Sequence, residues 1–301
     1  MAEGKLTGQV AIVTGASSGI GRACALLLVE NGFRVFAAVR KPIDGERLQA
    51  DAGLGLDPVI MDVTDGGSIQ AAVAQVSERL AGANLDGLVN VAGIGLAMPL
   101  EYVTQDELRR LFDVNVFGQL AVIQAFLPML HRSRGRIVNM SSVGAHIAIP
   151  FGGVLNACKA AFGTLSDTLR MELRPFGIRV VTVEPAAINT PAVEKTLGHV
   201  EETIRRLPPE GAERYGGMLR TFNRRALPRE LNGSPPDIVA RAVLHALSSP
   251  RPRIRYVVGK LSRPMSLLPR LLPDSVLDDL RMRVFGLPDN PSDDHQRTGD
   301  H

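Results

Sequence analysis

The stretch Val10-Ala-Ile-Val-Thr-Gly-Ala-Ser-Ser-Gly-Ile-Gly21 decides the fold of this chain. Val10 to Val13 is a short apolar, β-branched run of the kind that forms a strand buried on both faces, and it stops at Thr14-Gly15. Gly15, Gly19 and Gly21 permit a sharp turn, the close approach of a ligand and tight packing of the segment that follows. From Ile20 the apolar residues Ala23, Leu26 and Leu27 recur at helical steps. A helix that begins at such a turn directs unpaired N–H groups at it, which suits an anionic pyrophosphate. Glycine clusters also make plain loops, so the flanking strand and helix carry the argument for a dinucleotide site.

Outward from that turn, Arg34–Val39 reads as a second strand ending at Arg40. A strand-end carboxylate would accept hydrogen bonds from an adenosine ribose and repel a 2′-phosphate; Val39 and Arg40 stand there instead, which favours NADP over NAD. Arg40 as a plain surface charge is the competing reading. Val59–Val63 reads as a third strand, with Asp62 placed to accept from an adenine amino group, and a helix follows over Ser68–Leu80. Asp86 to Gly93 is a fourth strand whose end, Asn90-Val-Ala-Gly93, suits contact with a ribose. Thr104-Gln-Asp-Glu107 is a capping box opening a long helix, and within it Asn115 is a polar residue among apolar ones. Gly135–Met140 is a fifth strand before Ser141-Ser142, Gly152–Leu173 is helical, and Ile178–Val183 is a sixth strand before Glu184-Pro185.

This alternation predicts an α/β fold: a Rossmann-type doubly wound parallel sheet with helices on both faces and ligands at the carboxyl ends of its strands. The segment 189–232, with Pro191, Pro208, Pro209 and Pro228, predicts a helical substrate lid. Pro236–Leu247 is a covering helix and Arg255–Val258 a last strand. A single dinucleotide-binding domain over 1–287, lid included, is expected, with 288–301 a polar disordered tail.

The chain has 301 residues, 45% of them hydrophobic, enough for one sizeable core. Lys+Arg 34 against Asp+Glu 31 gives no electrostatic case for a nucleic-acid partner. The apolar run Leu120–Leu130 is too short, and too interrupted by Gln124 and Pro128, for a transmembrane segment. Basic residues collect late, and Leu267–Leu272 with Arg270 reads either as core or oligomer packing or as a weak membrane-surface contact. Cys24 and Cys158 sit in helical patterns with no signal peptide upstream, so reduced thiols and a cytoplasmic location are expected. No metal site is expected.

The ordered set Thr14-Gly15, Gly19, Gly21, Asp62, Asn90-Val-Ala-Gly93, Asn115, Ser142 and Lys159 resembles the short-chain dehydrogenase/reductase family, particularly its steroid- and retinol-dehydrogenase-like members, from about Leu6 to Val258. The resemblance implies a dinucleotide held by Gly15, Ser17, Ser18, Gly19, Ile20, Gly21, Arg40, Asp62, Val63, Asn90, Ala92, Gly93, Lys159, Pro185, Ile188 and Thr190. It implies that Ser142 binds the substrate oxygen, Asn115 holds a relay water, and Lys159 binds the nicotinamide ribose and lowers the pKa of a proton-exchanging tyrosine. The family places that tyrosine thirteen residues after the serine and four before the lysine, and both counts end on Leu155. The nearest tyrosines are Tyr102 and Tyr215, so no shifted frame restores it. Val91 stands where a second asparagine is common, and Ala186 where a glycine follows the proline beside the nicotinamide. A homodimer or homotetramer through the fourth and sixth helices is implied as well.

Loss of a positioned proton donor commonly costs a factor of about 10² to 10⁴, so simple ketone reduction is expected to be slow. An iminium or an activated C=C bond does not need that donor. His146, four residues after Ser142, is a substitute donor or a surface histidine; Tyr215 covers the substrate or packs; Cys158 is an activated thiol or core. Ser142, His146, Leu155 and Tyr215 form the expected substrate pocket, and Ile147, Ile149 and Phe151 suggest a hydrophobic small-molecule substrate. Three readings stand: an NADP(H)-dependent reductase with an unusual acceptor, a non-redox cyclase, isomerase or hydro-lyase on the same scaffold, and a silent dinucleotide-binding protein.

Overall fold

The computed structural model describes residues 8–287. The first half runs β1 (Val10–Val13), α1 (Gly19–Glu30), β2 (Arg34–Val39), α2 (Pro42–Ala52), β3 (Leu56–Ile60), α3 (Gly66–Leu80) and β4 (Gly87–Asn90). Next, α4 (Gln105–Phe112) passes through a π turn at Asp113–Phe117 into α5 (Gly118–Ser133), followed by β5 (Arg136–Met140), α6 (Gly153–Leu173) and β6 (Arg179–Pro185). The chain closes with α7 (Pro191–Leu197), α8 (Val200–Arg205), α9 (Pro209–Leu231), α10 (Asp237–Ser248), β7 (Arg255–Val258), α11 (Ser262–Leu271) and α12 (Asp274–Phe285).

The strands form one seven-stranded parallel sheet in the order β3-β2-β1-β4-β5-β6-β7. Chain order reverses between β1 and β4, the switch point at which such sheets open a crevice. Alternate side chains of each strand enter opposite layers. Ala11, Val13, Val35, Val138 and Val181 pack with Cys24, Leu28, Val239 and Val243 of α1 and α10. Ile12, Phe36, Leu88 and Ile137 pack with Val76, Val122, Ile123 and Phe126 of α3 and α5.

The expected bounds of β2 and β7 coincide with the observed ones. The third strand differs: it starts at Leu56 and ends at Ile60, so Asp62 lies just beyond it. Pro58 sits inside this strand, which is possible because β3 is the sheet edge and one side of its ladder needs no donor. The capping box is present, with Thr104 accepting from the Glu107 N–H and Glu107 accepting from the Thr104 N–H.

The segment after Asn189 is helical, as α7, α8 and α9. These helices close against the body through Met98, Ile204, Leu207 and Leu219, with Tyr102 and Phe151 at the margin. The helical run Gln105–Ser133, with a mean hydropathy of 1.4 in its most apolar window, is long and apolar enough to cross a bilayer. Its Val122, Ile123, Phe126 and Leu130 are wholly buried in the layer beneath the sheet. The expected tail at 288–301 lies outside the described residues.

Candidate functional site

The crevice begins at the turn after β1. Gly15 has φ +63°, and a Cβ there would stand 2.8 Å from the Ala92 Cα, while one on Gly21 would enter the Gly15 carbonyl oxygen. Only glycine lets the strand end, the turn and α1 come this close. The Thr14 hydroxyl accepts the N–H groups of Val91 and Ala92 at 2.9 and 3.1 Å, tying the ends of β1 and β4 together. Position 91 therefore works here through its backbone, and valine serves. Ser18 precedes α1 without a side-chain cap, so the N–H groups of the first turn stay available at the cleft.

A cleft of about 840 Å³ opens there and brings together Gly15, Ser17, Ser18, Gly19, Ile20, Gly21, Arg40, Asp62, Val63, Ala92, Gly93 and Thr190. The shape, the glycine approaches and the uncapped helix start fit a dinucleotide. Asp62 accepts the Thr64 N–H at 2.9 Å and its hydroxyl at 2.7 Å. Those bonds, with the Arg40 charge, hold its carboxyl below the usual carboxylate range.

Asn90 stands elsewhere. It is wholly buried, and its amide donates to Asn139 at 3.1 Å, which in turn donates to Ser166 of α6 at 2.9 Å. The side chain at the end of β4 thus points into the layer under α6, and its expected ribose contact is corrected to a structural role. Pro185 enters only through its carbonyl, which accepts from the Ser142 hydroxyl at 3.4 Å. Ile188 is buried and bridged to Ser234.

Behind Gly93, and outside the lining of that cleft, a second corner gathers side chains from the loop after β5, from α6 and from the π turn. The Asn115 amide donates to the carbonyls of Ile94 and Leu111 at 3.0 and 2.9 Å, which fixes it against the loop after β4. The open side of Gly93 faces Asn115 Oδ1 and Lys159 Nζ, 2.8 and 3.8 Å from where a Cβ would stand. Lys159 Nζ donates to the Met140 carbonyl at 3.0 Å, and burial pushes its ammonium down to about 8. Ser142, at the end of β5, also accepts the Gly144 N–H at 3.0 Å.

Leu155 lies one helical turn before Lys159 and is half-buried, while its neighbours Val154 and Cys158 face the core. The chain's three tyrosines are all engaged away from this corner. Tyr215 donates to Glu101 at 2.8 Å and packs edge-on against Tyr102, and Tyr256 lies 2.6 Å from His245 Nδ1. The Tyr215 hydroxyl is thus held by Glu101, beside its packing on Tyr102. His146 Nε2 lies 3.0 Å from the fully buried Glu184, which also pairs with Arg255, itself 2.8 Å from Asp167. His146 thus adjoins a Glu184–Arg255–Asp167 cluster between β6, β7 and α6. Cys158 is core, its thiol pushed up to about 11 by burial.

Glu107, Arg110, Lys195, Thr196, Glu202 and Arg206 also line the cleft, and Arg206 pairs with Glu107 across lid and body. Apart from Glu107, no local motif announced them, because the returning lid delivers four of the six. Glu107 carried one signal, the capping box.

Residues 9–200 match the family model described as short chain dehydrogenase. Retinol dehydrogenase 5 of Homo sapiens is 39% identical over 279 residues, covering 88% of this chain and 86% of the relative. A short-chain dehydrogenase from Streptomyces avermitilis superposes with a TM-score of 0.72 at 28% identity, covering 98% of this chain and 99% of that one. Two further solved neighbours carry different nucleotides. A short chain dehydrogenase from Burkholderia cenocepacia J2315 in complex with NADP has a TM-score of 0.67 at 27% identity, with 92% and 98% of the two chains covered. A 3-ketoacyl-(acyl-carrier-protein) reductase from Brucella melitensis complexed with NADH has a TM-score of 0.66 at 26% identity, with 81% and 92% covered. The chain belongs to the short-chain dehydrogenase family and is an oxidoreductase of that type.

Proposed function

We propose that this oxidoreductase is an NADP(H)-dependent reductase of hydrophobic substrates whose acceptor is already activated, an iminium or a conjugated C=C bond. The observation that carries the reading is the pairing of Leu155 with Lys159: hydrocarbon stands one turn from a desolvated ammonium, where the family resemblance calls for a phenol. A bound nicotinamide supplies hydride at this corner. The first turn of α1 would receive the pyrophosphate, Asp62 the adenine amino group, and Arg40 the 2′-phosphate, all three lying at the cleft. Because solved neighbours hold either nucleotide, the residue at the end of β2 supports the preference and the fold does not.

Ser142 offers its hydroxyl to the substrate and Asn115 holds a water beside Lys159. A cationic iminium carbon accepts hydride and becomes a neutral amine without any proton. A conjugated C=C bond becomes an enolate on accepting hydride, and the Lys159 ammonium returns the proton through that water. The partly buried Ile149 and Phe151, packed on Phe222 of the lid, support a hydrophobic substrate, in keeping with a retinol dehydrogenase among the relatives. Phe117, Met171 and Phe176, exposed at the ends of α5 and α6, support a homodimer or homotetramer.

The test follows NADPH absorbance with a fixed-charge iminium, a conjugated enone and a simple ketone. Consumption with the first two and little with the third is expected. Enone reduction is expected to fall as pH rises through about 8, where Lys159 loses its proton, while fixed-charge iminium reduction stays level. Conversion without NADPH loss would support a non-redox enzyme instead, a reading the apolar Leu155 also favours.

A further inference from the structure

The loop that carries Ser142 is fastened from two sides. Ser142 follows β5, and the short turn Val143–Ala145 leads from it to His146. On the α6 side, Asn156 donates to the Ile147 carbonyl at 2.8 Å and lies against Gly144, where a Cβ would stand 2.9 Å from its Oδ1. On the β6 side, His146 Nε2 meets Glu184 Oε1 at 3.0 Å. Within the turn the Gly144 N–H donates to the Ser142 hydroxyl at 3.0 Å, and the His146 N–H donates to the Val143 carbonyl at 3.0 Å. The Ser142 hydroxyl itself donates to the Pro185 carbonyl at 3.4 Å. The serine and the histidine therefore rest on two consecutive residues of β6, Pro185 and Glu184.

Glu184 is a firm anchor. It is wholly buried and pairs with Arg255 of β7, which is held in turn by Asp167 of α6 at 2.8 Å. A carboxylate paired with a guanidinium only accepts hydrogen bonds, so the proton of the contact with His146 sits on Nε2. The other oxygen, Oε2, is buried and has no hydrogen-bond partner among the described residues. Burying a carboxylate that is not fully paired is costly, which strengthens its hold on the donors that reach Oε1. The imidazole, by contrast, is 25% exposed and stands at the rim, so replacing it empties no core.

We propose that His146 is a positioning residue, whose bond to Glu184 fixes the turn that aims the Ser142 hydroxyl at a substrate oxygen. The 3.4 Å contact with Pro185 is too long to set the hydroxyl by itself, so the turn must do so. Leu155 offers no hydrogen bond, and the orientation of a substrate oxygen falls to Ser142 all the more. The inference rests on the reading that Ser142 binds that oxygen; the fixing of the turn is measured apart from turnover.

His146→Phe keeps a ring and removes the donor, whereas His146→Gln places an amide nitrogen at nearly the reach of Nε2. His146→Leu, smaller and equally without a donor, separates a misfit of the ring from loss of the bond. A conjugated enone has an oxygen for Ser142 and a fixed-charge iminium has none. The enone-to-iminium ratio of kcat is expected to fall about tenfold in His146→Phe and His146→Leu and to recover in His146→Gln. Added to Ser142→Ala, His146→Phe is expected to lower the ratio no further. Without substrate or nucleotide, amide hydrogen exchange at Gly144 is expected to quicken about tenfold in His146→Phe and to return toward the parent in His146→Gln, with the β6 amides unchanged. Unchanged exchange at Gly144, an equal fall with both acceptors, no recovery in His146→Gln, or a further loss beyond Ser142→Ala overturns the proposal. A parent protein that consumes NADPH with neither acceptor overturns the reading of the reaction instead, and exchange at Gly144 then decides the positioning alone.

Discussion

At the β1–α1 turn the wall of the crevice is backbone, whereas at the β5–α6 corner it is side chain. The first wall is set by the closeness of Gly15 to Ala92, by Thr14 on two N–H groups, and by an uncapped helix start. Such a wall tolerates change in the residues around it, as Val91 does. The second is set by Asn115 of the π turn, Ser142 after β5, and Leu155 and Lys159 of α6, and its chemistry turns on which groups carry a proton. Two walls built so differently can diverge independently, because the backbone wall depends little on the side chains that set the other.

The comparison breaks most sharply at Leu155. Leu155→Tyr is expected to raise ketone reduction by about 10²- to 10⁴-fold, since a phenol there would have the Lys159 charge one turn away. Steady-state NADPH oxidation with a simple hydrophobic ketone measures it, and an unchanged rate would mean that the corner has diverged beyond one residue. Next in size is Arg255→Met, which leaves the buried Glu184 without its strongest partner. A loss of about 3 kcal/mol in urea unfolding is expected, with nucleotide affinity little altered.

On the backbone side, Gly21→Ala forces a methyl group into the Gly15 carbonyl. It is expected to cost about 1–3 kcal/mol and to weaken NADP and NAD together, read by thermal unfolding and nucleotide titration. The smallest effect sharpens the comparison most finely. Arg40→Asp is expected to weaken NADP by about tenfold while leaving NAD nearly unchanged, and equal loss of both would remove the phosphate contact.

Legibility followed locality. The Gly15–Gly21 turn, the Thr104–Glu107 box and the bounds of β2 and β7 were readable because neighbours in sequence create them. The end of β3 was misplaced because Pro58 is tolerated only on an edge strand, and being an edge is a property of the sheet. Asn90 was assigned to a ligand because it adjoins Gly93, yet the pleat turns its side chain toward Asn139 and Ser166. His146 was a candidate by its distance from Ser142 and Tyr215 by its place in the lid; their partners Glu184 and Glu101, remote in sequence, were not readable.

The sequence alone determined that this chain folds as a doubly wound parallel sheet around a dinucleotide turn, and that position 155 holds hydrocarbon. Periodicity, glycine placement and residue spacing are local quantities, and they suffice for both. The tertiary structure decided which side chains share the cleft and which carboxylates occupy the spare donors. Those outcomes arise where segments far apart in the chain compete for one volume, and only the packed molecule resolves that competition.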